Sequence, residues 1–233
     1  MAIMARYDKA LQAVYQRIAA AARAARRPPN GVTLLAVSKT FPSAAIRAVH
    51  ALGQRAFGEN YVQEAAGKRA ELADLPDLRF ALIGPLQSNK TALAAEVFDR
   101  IESVDRLKVA QRLSASRAIE RAPLEVLVQV NISGEATKSG VAPADALALA
   151  KEVARLPRLA LRGFMGIAQP GEDIALQRSQ FAVLRVLLED TRAAGLDVDE
   201  LSMGMSADLE SAIAEGSTEV RIGTAIFGER ATQ

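Results

Sequence analysis

Short apolar runs alternate along the chain with stretches in which apolar residues recur at helical spacing. The apolar runs have the length and the β-branched character of buried strands. They span residues 32–38, 55–60, 79–84, 100–105, 125–131, 161–167, 200–205 and 219–227. Between them, apolar residues fall three or four positions apart, as in Ala45, Ala48, Val49 and Leu52. The pattern predicts about eight consecutive β–α repeats.

Eight such repeats in 233 residues favour an α/β fold, a single (β/α)8 TIM barrel. A doubly wound open sheet with the same number of elements is the competing fold. The barrel is favoured because the alternation stays regular to the last repeat and no strand is followed by a G-x-G-x-x-G turn. No linker or shift of composition interrupts the repeats. We therefore expect one domain over residues 1–233, with a helix in 1–30 and the barrel in 31–233.

The first 30 residues have the pattern of one amphipathic helix. Leu11, Val14, Tyr15, Ile18 and Ala22 recur at helical spacing, and the run RRPPNG at 26–31 marks the end of the helix. A mitochondrial transit peptide is the alternative, because the segment is rich in arginine and poor in acids. We expect a structural helix. No window of the chain reaches the roughly 18 apolar residues of a membrane span.

Composition excludes several classes of function. The 29 basic and 27 acidic residues are interleaved and leave a net charge of +2, so neither nucleic acid nor a membrane is an expected partner. The chain has no cysteine, which removes disulfides and sulfur-ligated metals and suits a cytoplasmic location. The single histidine, His50, argues against a histidine-based metal site and against a Ser-His triad.

Lys39 closes the first strand, behind an apolar run that only Thr33 interrupts. Barrel sites are built at the carboxyl ends of the strands, so this position places an amine at the ligand-binding end. Burial lowers the pKa of a lysine and makes it a nucleophile that can form an imine with an aldehyde. The alternative is a lysine at the barrel rim that only forms a salt bridge.

Strands seven and eight end in residues that are typical of a phosphate site. Ser206 is expected to cap the helix after the seventh strand, and Gly223 with Thr224 interrupts the eighth. Barrels often bind phosphate at these two loops through hydroxyls and backbone N–H groups. Arg221, two residues before Gly223, should face the same side of its strand. Asp208 argues against the site, because its carboxylate would repel phosphate unless it points away; a helix cap plus a strand bulge is the alternative.

Other strands also end in polar residues. Glu59 and Asn60 follow the second strand, and Asn131 opens a polar loop after the fifth. Each of these residues is equally explained as a helix cap or as part of a turn. Taken singly, they indicate no ligand.

The two ends of the strand order meet when the barrel closes, because strand eight then pairs with strand one. Lys39 thereby becomes a neighbour of Arg221, Gly223 and Thr224. The implied ligand carries an aldehyde at one end and a phosphate at the other, and pyridoxal 5′-phosphate (PLP) fits that description. A sugar phosphate in a lysine-type aldolase fits less well, because no acid–base pair is evident near Lys39.

Seven ordered motifs resemble those of the pyridoxal phosphate homeostasis protein family, also called proline synthetase co-transcribed proteins. They are AVSKT, FGENYVQE, IGPLQSNK, VNISGEATKSG, LRGFMGI, LSMGMSADLESAIAEGST and VRIGTAIFG. The family is a single barrel related to the N-terminal domain of alanine racemase. The resemblance implies that Lys39 forms the Schiff base, that Ser206, Gly223 and Thr224 bind the phosphate and that Arg221 meets the pyridine nitrogen. Asn60 and Met203 complete the expected cofactor-binding residues.

One departure from the family is visible in IGPLQSNK and the residues before it. The family usually has a histidine two residues before the Ile-Gly pair, where this chain has Ala81. Strand alternation relative to Ile83 predicts that this replacement changes the lining of the pocket. The bond to Lys39 should be unaffected.

Chain length favours a carrier over an enzyme. Alanine racemase adds a second domain that supplies a tyrosine base, and the tyrosines of this chain are Tyr7, Tyr15 and Tyr61. A two-base racemase needs an acid–base group on each face of the α-carbon. Beyond Lys39 none is evident, so we expect a monomeric PLP-binding protein of B6 and amino-acid homeostasis without turnover. Apo-forms of PLP-dependent enzymes are candidate recipients, and a small racemase-like enzyme is the alternative.

Overall fold

Eight parallel strands form a closed barrel in which each strand pairs with the next and the eighth pairs with the first. The computed structural model describes residues 2–135 and 137–229. The strands are β1 (Thr33–Val37), β2 (Ala56–Glu59), β3 (Arg79–Leu82), β4 (Arg100–Val104), β5 (Leu124–Val130), β6 (Leu159–Gly166), β7 (Glu200–Ser202) and β8 (Glu219–Ile222). The predicted barrel is therefore confirmed, and the open sheet is excluded.

Helices cover the outside of the barrel and connect the strands. They are α1 (Ala2–Ala24), α2 (Ser43–Ala51), α3 (Val62–Glu71), α4 (Thr91–Val97), α5 (Leu107–Ser116), α6 (Pro143–Ala154), α7 (Ile174–Ala193), α8 (Leu209–Ala214) and α9 (Thr224–Phe227). A 3-10 turn, Ser88–Lys90, precedes α4. Within the described ranges, no helix combines the length and the apolar character that a membrane crossing requires.

The first helix packs against the outer helices α2, α8 and α9 rather than standing apart from the barrel. Leu11, Val14 and Ile18 are buried, as their spacing predicted. Tyr15 is the exception, because it is 44% exposed and its hydroxyl donates to Gln54 at 2.7 Å. An amphipathic helix buries only one stripe, and Tyr15 lies at the edge of that stripe with its polar tip bonded.

The core of the barrel is held by apolar residues from both faces of the strands. Large side chains that are fully buried include Phe57, Phe80 and Phe164 from the strands. Strands that are covered on both sides read as continuous apolar runs, which is why the runs were visible in the sequence. Inside this wall the register places Arg221 of β8 beside Leu35 of β1. The residues after both strands therefore meet at one rim.

Candidate functional site

A cavity of about 480 Å³ opens at the carboxyl ends of the strands. This volume is typical of sites that enclose a small molecule. Six of the seven residues that the sequence predicted to bind a cofactor line it, namely Lys39, Asn60, Ser206, Arg221, Gly223 and Thr224. The fold thus brings together residues that are far apart in the sequence.

Met203 is the predicted residue that the structure keeps out of the cavity. Its side chain is fully buried in the hydrophobic core, and Met205 lines the cavity instead. Strand alternation stops before these residues, because β7 ends at Ser202 and Gly204 has a left-handed φ of 96°. A Cβ on Gly204 would lie 2.6 Å from the Cβ of Ala212, so the turn requires glycine.

Lys39 lies partly buried in the turn that ends β1. The next residue, Thr40, has a φ of 68°, a conformation that is strained for a β-branched residue. The Nζ of Lys68 donates to the carbonyl of Ser38 at 2.9 Å, which fixes the chain before Lys39. The N–H of Thr40 donates to Glu64 at 2.6 Å, which fixes the chain after it.

A buried ion pair supports this turn from below. Glu59 is fully buried and accepts hydrogen bonds from Lys68 at 2.7 Å and from Ser38 Oγ at 2.6 Å. Burial raises the pKa of the Glu59 carboxyl, and the hydrogen bond and charge of Lys68 offset part of that rise. The sequence placed Glu59 only as a polar residue at the end of the second strand, and the structure shows that it holds the turn that carries Lys39.

Arg221 forms the floor of the cavity. Its side chain is almost completely buried, and one terminal nitrogen donates to the carbonyl and the hydroxyl of Ser202 at 2.6 and 2.8 Å. The other terminal nitrogen donates to the carbonyl of Gly166 at 2.8 Å. Burial lowers the pKa of Arg221, while the negative charges of nearby acids favour its charged form. An arginine fixed in this way is a rigid donor and not a proton source.

The loops after β7 and β8 form the side of the cavity next to the turn that carries Lys39. The eighth strand ends at Ile222 and a short helix begins at Thr224, so the predicted strand over 219–227 was too long. Gly223 lies between them, where a Cβ would come within 3.2 Å of the carbonyl of Val37. Ser206 lies in a turn, and Asp208 occupies the cap position of α8 that was expected for Ser206.

Asp208 does not face the cavity. Its side chain is buried, and its Oδ1 accepts the backbone N–H of Met205 at 2.5 Å. Burial raises the pKa of this carboxyl, and the bond to Met205 and the charge of Arg221 lower it. The carboxylate therefore holds the loop that carries Ser206 from behind, which removes the objection that it would repel a phosphate in the cavity.

Gln129 and Lys138 line the cavity as well, and sequence reasoning missed both. Gln129 interrupts the apolar strand β5, and its amide donates to the carbonyl of Ser139 at 3.2 Å. A polar residue within a buried strand is a signal that could have identified it. Lys138 forms an ion pair of 2.6 Å with Glu135. Lys138 belongs to the loop after β5, and a loop has no periodic pattern from which its path could be predicted.

Ala81 does not line this cavity, contrary to the expectation from alternation. It lines a second cavity of about 60 Å³ at the amino-terminal end of the strands, together with Leu35, Ala56 and Glu219. Residues that alternate to the same side of a barrel strand lie in successive layers. Ile83 therefore reaches the upper cavity, whereas Ala81 lies one layer below it.

The set of donors in the upper cavity fits a ligand with an aldehyde and a phosphate. An amine, two hydroxyls, a glycine and a buried guanidinium converge there in Lys39, Ser206, Thr224, Gly223 and Arg221. Amines bond to aldehydes, and hydroxyls with glycine-bearing loops accept phosphates. Within residues 2–135 and 137–229, no group of three histidine, cysteine or acidic residues could hold a metal ion.

Comparison with known proteins agrees with this geometry. The family model for the N-terminal domain of alanine racemase matches residues 10–231. The chain is 59% identical over 217 residues to the pyridoxal phosphate homeostasis protein of Pseudomonas aeruginosa, and the match covers 93% of both chains. It is 48% identical to the protein of the same name in Escherichia coli K12, over 94% of this chain and 95% of that one.

Solved structures share the barrel. PipY of Synechococcus elongatus, with PLP bound, superposes with a TM-score of 0.79 at 42% identity and covers 91% of this chain and 100% of its own. Alanine racemase of Clostridium difficile superposes with a TM-score of 0.71 at 14% identity, over 87% of this chain and 54% of the racemase. The second likeness concerns the fold alone.

Proposed function

The chain belongs to the pyridoxal phosphate homeostasis protein family, whose barrel is that of the alanine racemase N-terminal domain, and from this premise we propose that it holds PLP as a Schiff base on Lys39. The observation that carries the proposal is the position of Lys39 in one cavity with Arg221, Ser206, Gly223 and Thr224. The PLP bound to PipY, a relative with 42% identity, supports it.

Lys39 supplies the covalent link in this proposal. Its amine adds to the aldehyde carbon of PLP, the aldehyde oxygen leaves as water, and a C=N bond replaces the C=O bond. The turn around Lys39 is held at Ser38 and Thr40, so the amine is positioned before the ligand arrives. When bound, PLP supplies a reactive carbonyl and an electron-withdrawing ring.

The remaining residues hold the other parts of the ligand. Ser206, Gly223 and Thr224 bind the phosphate through hydroxyls and backbone N–H groups. Arg221 donates to the pyridine nitrogen, which leaves that nitrogen without a proton because a guanidinium retains its own. A ring in that state withdraws electrons weakly. Asn60 lines the wall of the cavity beside Lys39.

We propose a homeostatic role without turnover, in which a monomeric, single-domain chain holds cytoplasmic PLP and balances B6 and amino-acid pools. The names of the curated relatives support this role. Arg221 also supports it, because a guanidinium at the pyridine nitrogen makes the PLP ring a weaker acceptor of electrons. Apo-forms of PLP-dependent enzymes are the proposed recipients. Size-exclusion chromatography with light scattering checks the monomer.

A small racemase-like enzyme is the second candidate, and Lys138 is the observation that favours it. Its side chain lines the same cavity as Lys39 and brings a second ionisable amine to the site. Solvent deuterium should enter the α-carbon of L-alanine at a rate that depends on both lysines if the chain is such an enzyme. Exchange no faster than with free PLP supports the carrier.

The test of PLP binding is the visible absorbance of the purified protein after addition of PLP. The parent chain should develop a visible band that borohydride bleaches, and Lys39→Ala should not. Lys151→Ala is the matched control, because Lys151 is exposed on α6 and should leave the band unchanged. A chain that takes up no PLP would end the proposal.

A further inference from the structure

A cluster of charged and polar side chains fills the barrel below Arg221. Glu102 of β4, Ser202 of β7 and Glu219 of β8 are all buried inside the apolar wall. Carboxylates are costly to bury, and they persist where partners compensate them. The cavity described above does not reach these residues, because none of the three lines it. Their burial therefore needs a separate explanation.

The cluster is connected to Arg221 by hydrogen bonds. The hydroxyl of Ser202 accepts from Arg221 at 2.8 Å and donates to Oε2 of Glu102 at 2.6 Å. The carboxyl of Glu102 in turn lies within hydrogen-bonding reach of the carboxyl of Glu219. One continuous chain of contacts thus runs from the floor of the upper cavity to the lower layer of the barrel.

Neither carboxyl of the pair is fully satisfied by hydrogen bonds. Oε1 of Glu102 and Oε1 of Glu219 are both buried, and neither has a hydrogen-bond partner within the described part of the chain, although Arg100 Nε lies 3.5 Å from the first. Two ionised carboxylates in contact repel each other, and a single proton on the pair removes that repulsion. Burial, followed by the charge of Glu102, raises the pKa of Glu219 to about 8. Both effects favour a proton on Glu219 at neutral pH.

The surrounding charges are compatible with this state. Arg100 of β4 lies 3.5 Å from Glu102 and 3.7 Å from Glu219, and it also pairs with Glu200 of β7. Arg221 is the charged neighbour on the strand of Glu219 itself. The lower cavity of about 60 Å³ reaches Glu219 and Arg100, and this volume exceeds what one water molecule needs.

We propose that Glu102, Ser202 and Glu219 are positioning residues that orient Arg221 and balance its charge through one shared proton, and so set the potential at the bound PLP. This inference rests on the function proposed above. The pair supplies a single negative charge behind the guanidinium. That charge favours the protonated form of the bound PLP, which lies on the other side of Arg221.

The proposal predicts that the two acids respond differently to substitution. Glu219→Gln removes the acid that holds the proton and leaves Glu102, which still accepts the bond from Ser202, so this variant should keep the pH at which the visible band of bound PLP titrates. Glu102→Gln leaves Glu219, whose pKa burial still raises, so its titration should shift toward that of the double variant. The double variant loses the negative charge, so its titration should move down by roughly one unit, a tenfold change in proton affinity.

Infrared spectroscopy of the cofactor-free parent chain tests the shared proton directly. A buried carboxylic acid band should be present at pH 7 and absent from Glu219→Gln. Absence of the band from the parent chain would overturn the proposal. A double variant that titrates like the parent, or a Glu219→Gln variant that shifts as far as the double variant, would overturn it as well. Should the double variant fail to fold, Ser202→Ala serves in its place, and it must shift the titration.

The two proposals fail in different ways. A parent chain that shows the acid band but takes up no PLP would refute PLP binding and, with it, any role of the cluster toward PLP. A chain that binds PLP but lacks the acid band would refute only the shared proton. Urea unfolding of every variant separates a change of titration from a loss of folded protein.

Discussion

Replacing Lys68 by methionine tests the support beneath the Lys39 turn. The substitution keeps most of the length of the side chain but removes the cation that bonds Glu59 at 2.7 Å, Glu64 at 2.7 Å and the carbonyl of Ser38 at 2.9 Å. Breaking a buried ion pair by removing one partner costs about 3–5 kcal/mol, because it leaves a buried charge without compensation. That is a large share of the roughly 5–15 kcal/mol by which a domain of this kind is stable.

The loss should depend on pH with a definite sign. Burial already raises the pKa of Glu59 above its ordinary value of 4.5, and the lowering effect of Lys68 disappears in the variant. The folded state then binds more protons than the unfolded state above that value, so stability falls as pH rises. We expect Lys68→Met to be close to the parent at pH 5 and several kcal/mol less stable at pH 8.

Urea unfolding at pH 5, 6.5 and 8 measures the effect. The double variant Lys68→Met/Glu59→Gln should recover much of the loss at pH 8, because no buried charge remains. Lys151→Met, at an exposed position, is the control and should be neutral. Equal stability of Lys68→Met and the parent at pH 8, or a double variant no better than the single, would refute the reasoning.

Four further substitutions follow from backbone geometry and from the hydrogen bonds of the Arg221 guanidinium. Gly204→Ala should lower the free energy of unfolding by more than about 1 kcal/mol, because the φ of Gly204 is 96° and the new Cβ would meet Ala212. Gly67→Ala in α3 has open space around the new Cβ and should raise the free energy of unfolding, measured in urea, by about 0.5–1 kcal/mol. Thr40→Gly should raise the free energy of unfolding by roughly 1 kcal/mol, since glycine adopts the left-handed conformation of this position without the strain of a β-branched residue. A lower free energy of unfolding in urea would contradict the claim that Thr40 is strained. Arg221→Lys should weaken PLP binding at least tenfold in a fluorescence titration, since lysine cannot bridge to two carbonyls.

The barrel could be predicted from the sequence because its strands are covered on both sides. Such strands are continuous apolar runs, and the helical period between them is equally clear. Strand ends were less predictable. The run at 219–227 continues as apolar helix α9 after Ile222, and composition alone does not separate a buried strand from a buried helix turn.

The candidate site was predictable where a residue's position follows from a strand and not where it follows from a turn. Lys39 and Arg221 lie at or next to strands, and closure of the barrel brings them together. Met203 and Met205 could not be separated, because the positive φ of Gly204 breaks the alternation between them. Alternation could have placed Glu219 inside the barrel, but its partner Glu102 lies across the barrel on β4, and no local pattern links them.

The most direct test of the central claim is to locate the covalent link to PLP. The parent chain is mixed with PLP, reduced with borohydride and digested, and the peptides are identified by mass spectrometry. We predict that the cofactor's mass is found on the peptide that carries Lys39, and that Lys39→Ala yields no modified peptide at the same PLP concentration. Modification of Lys138 or of exposed lysines alone, with an unmodified Lys39 peptide, would contradict the account.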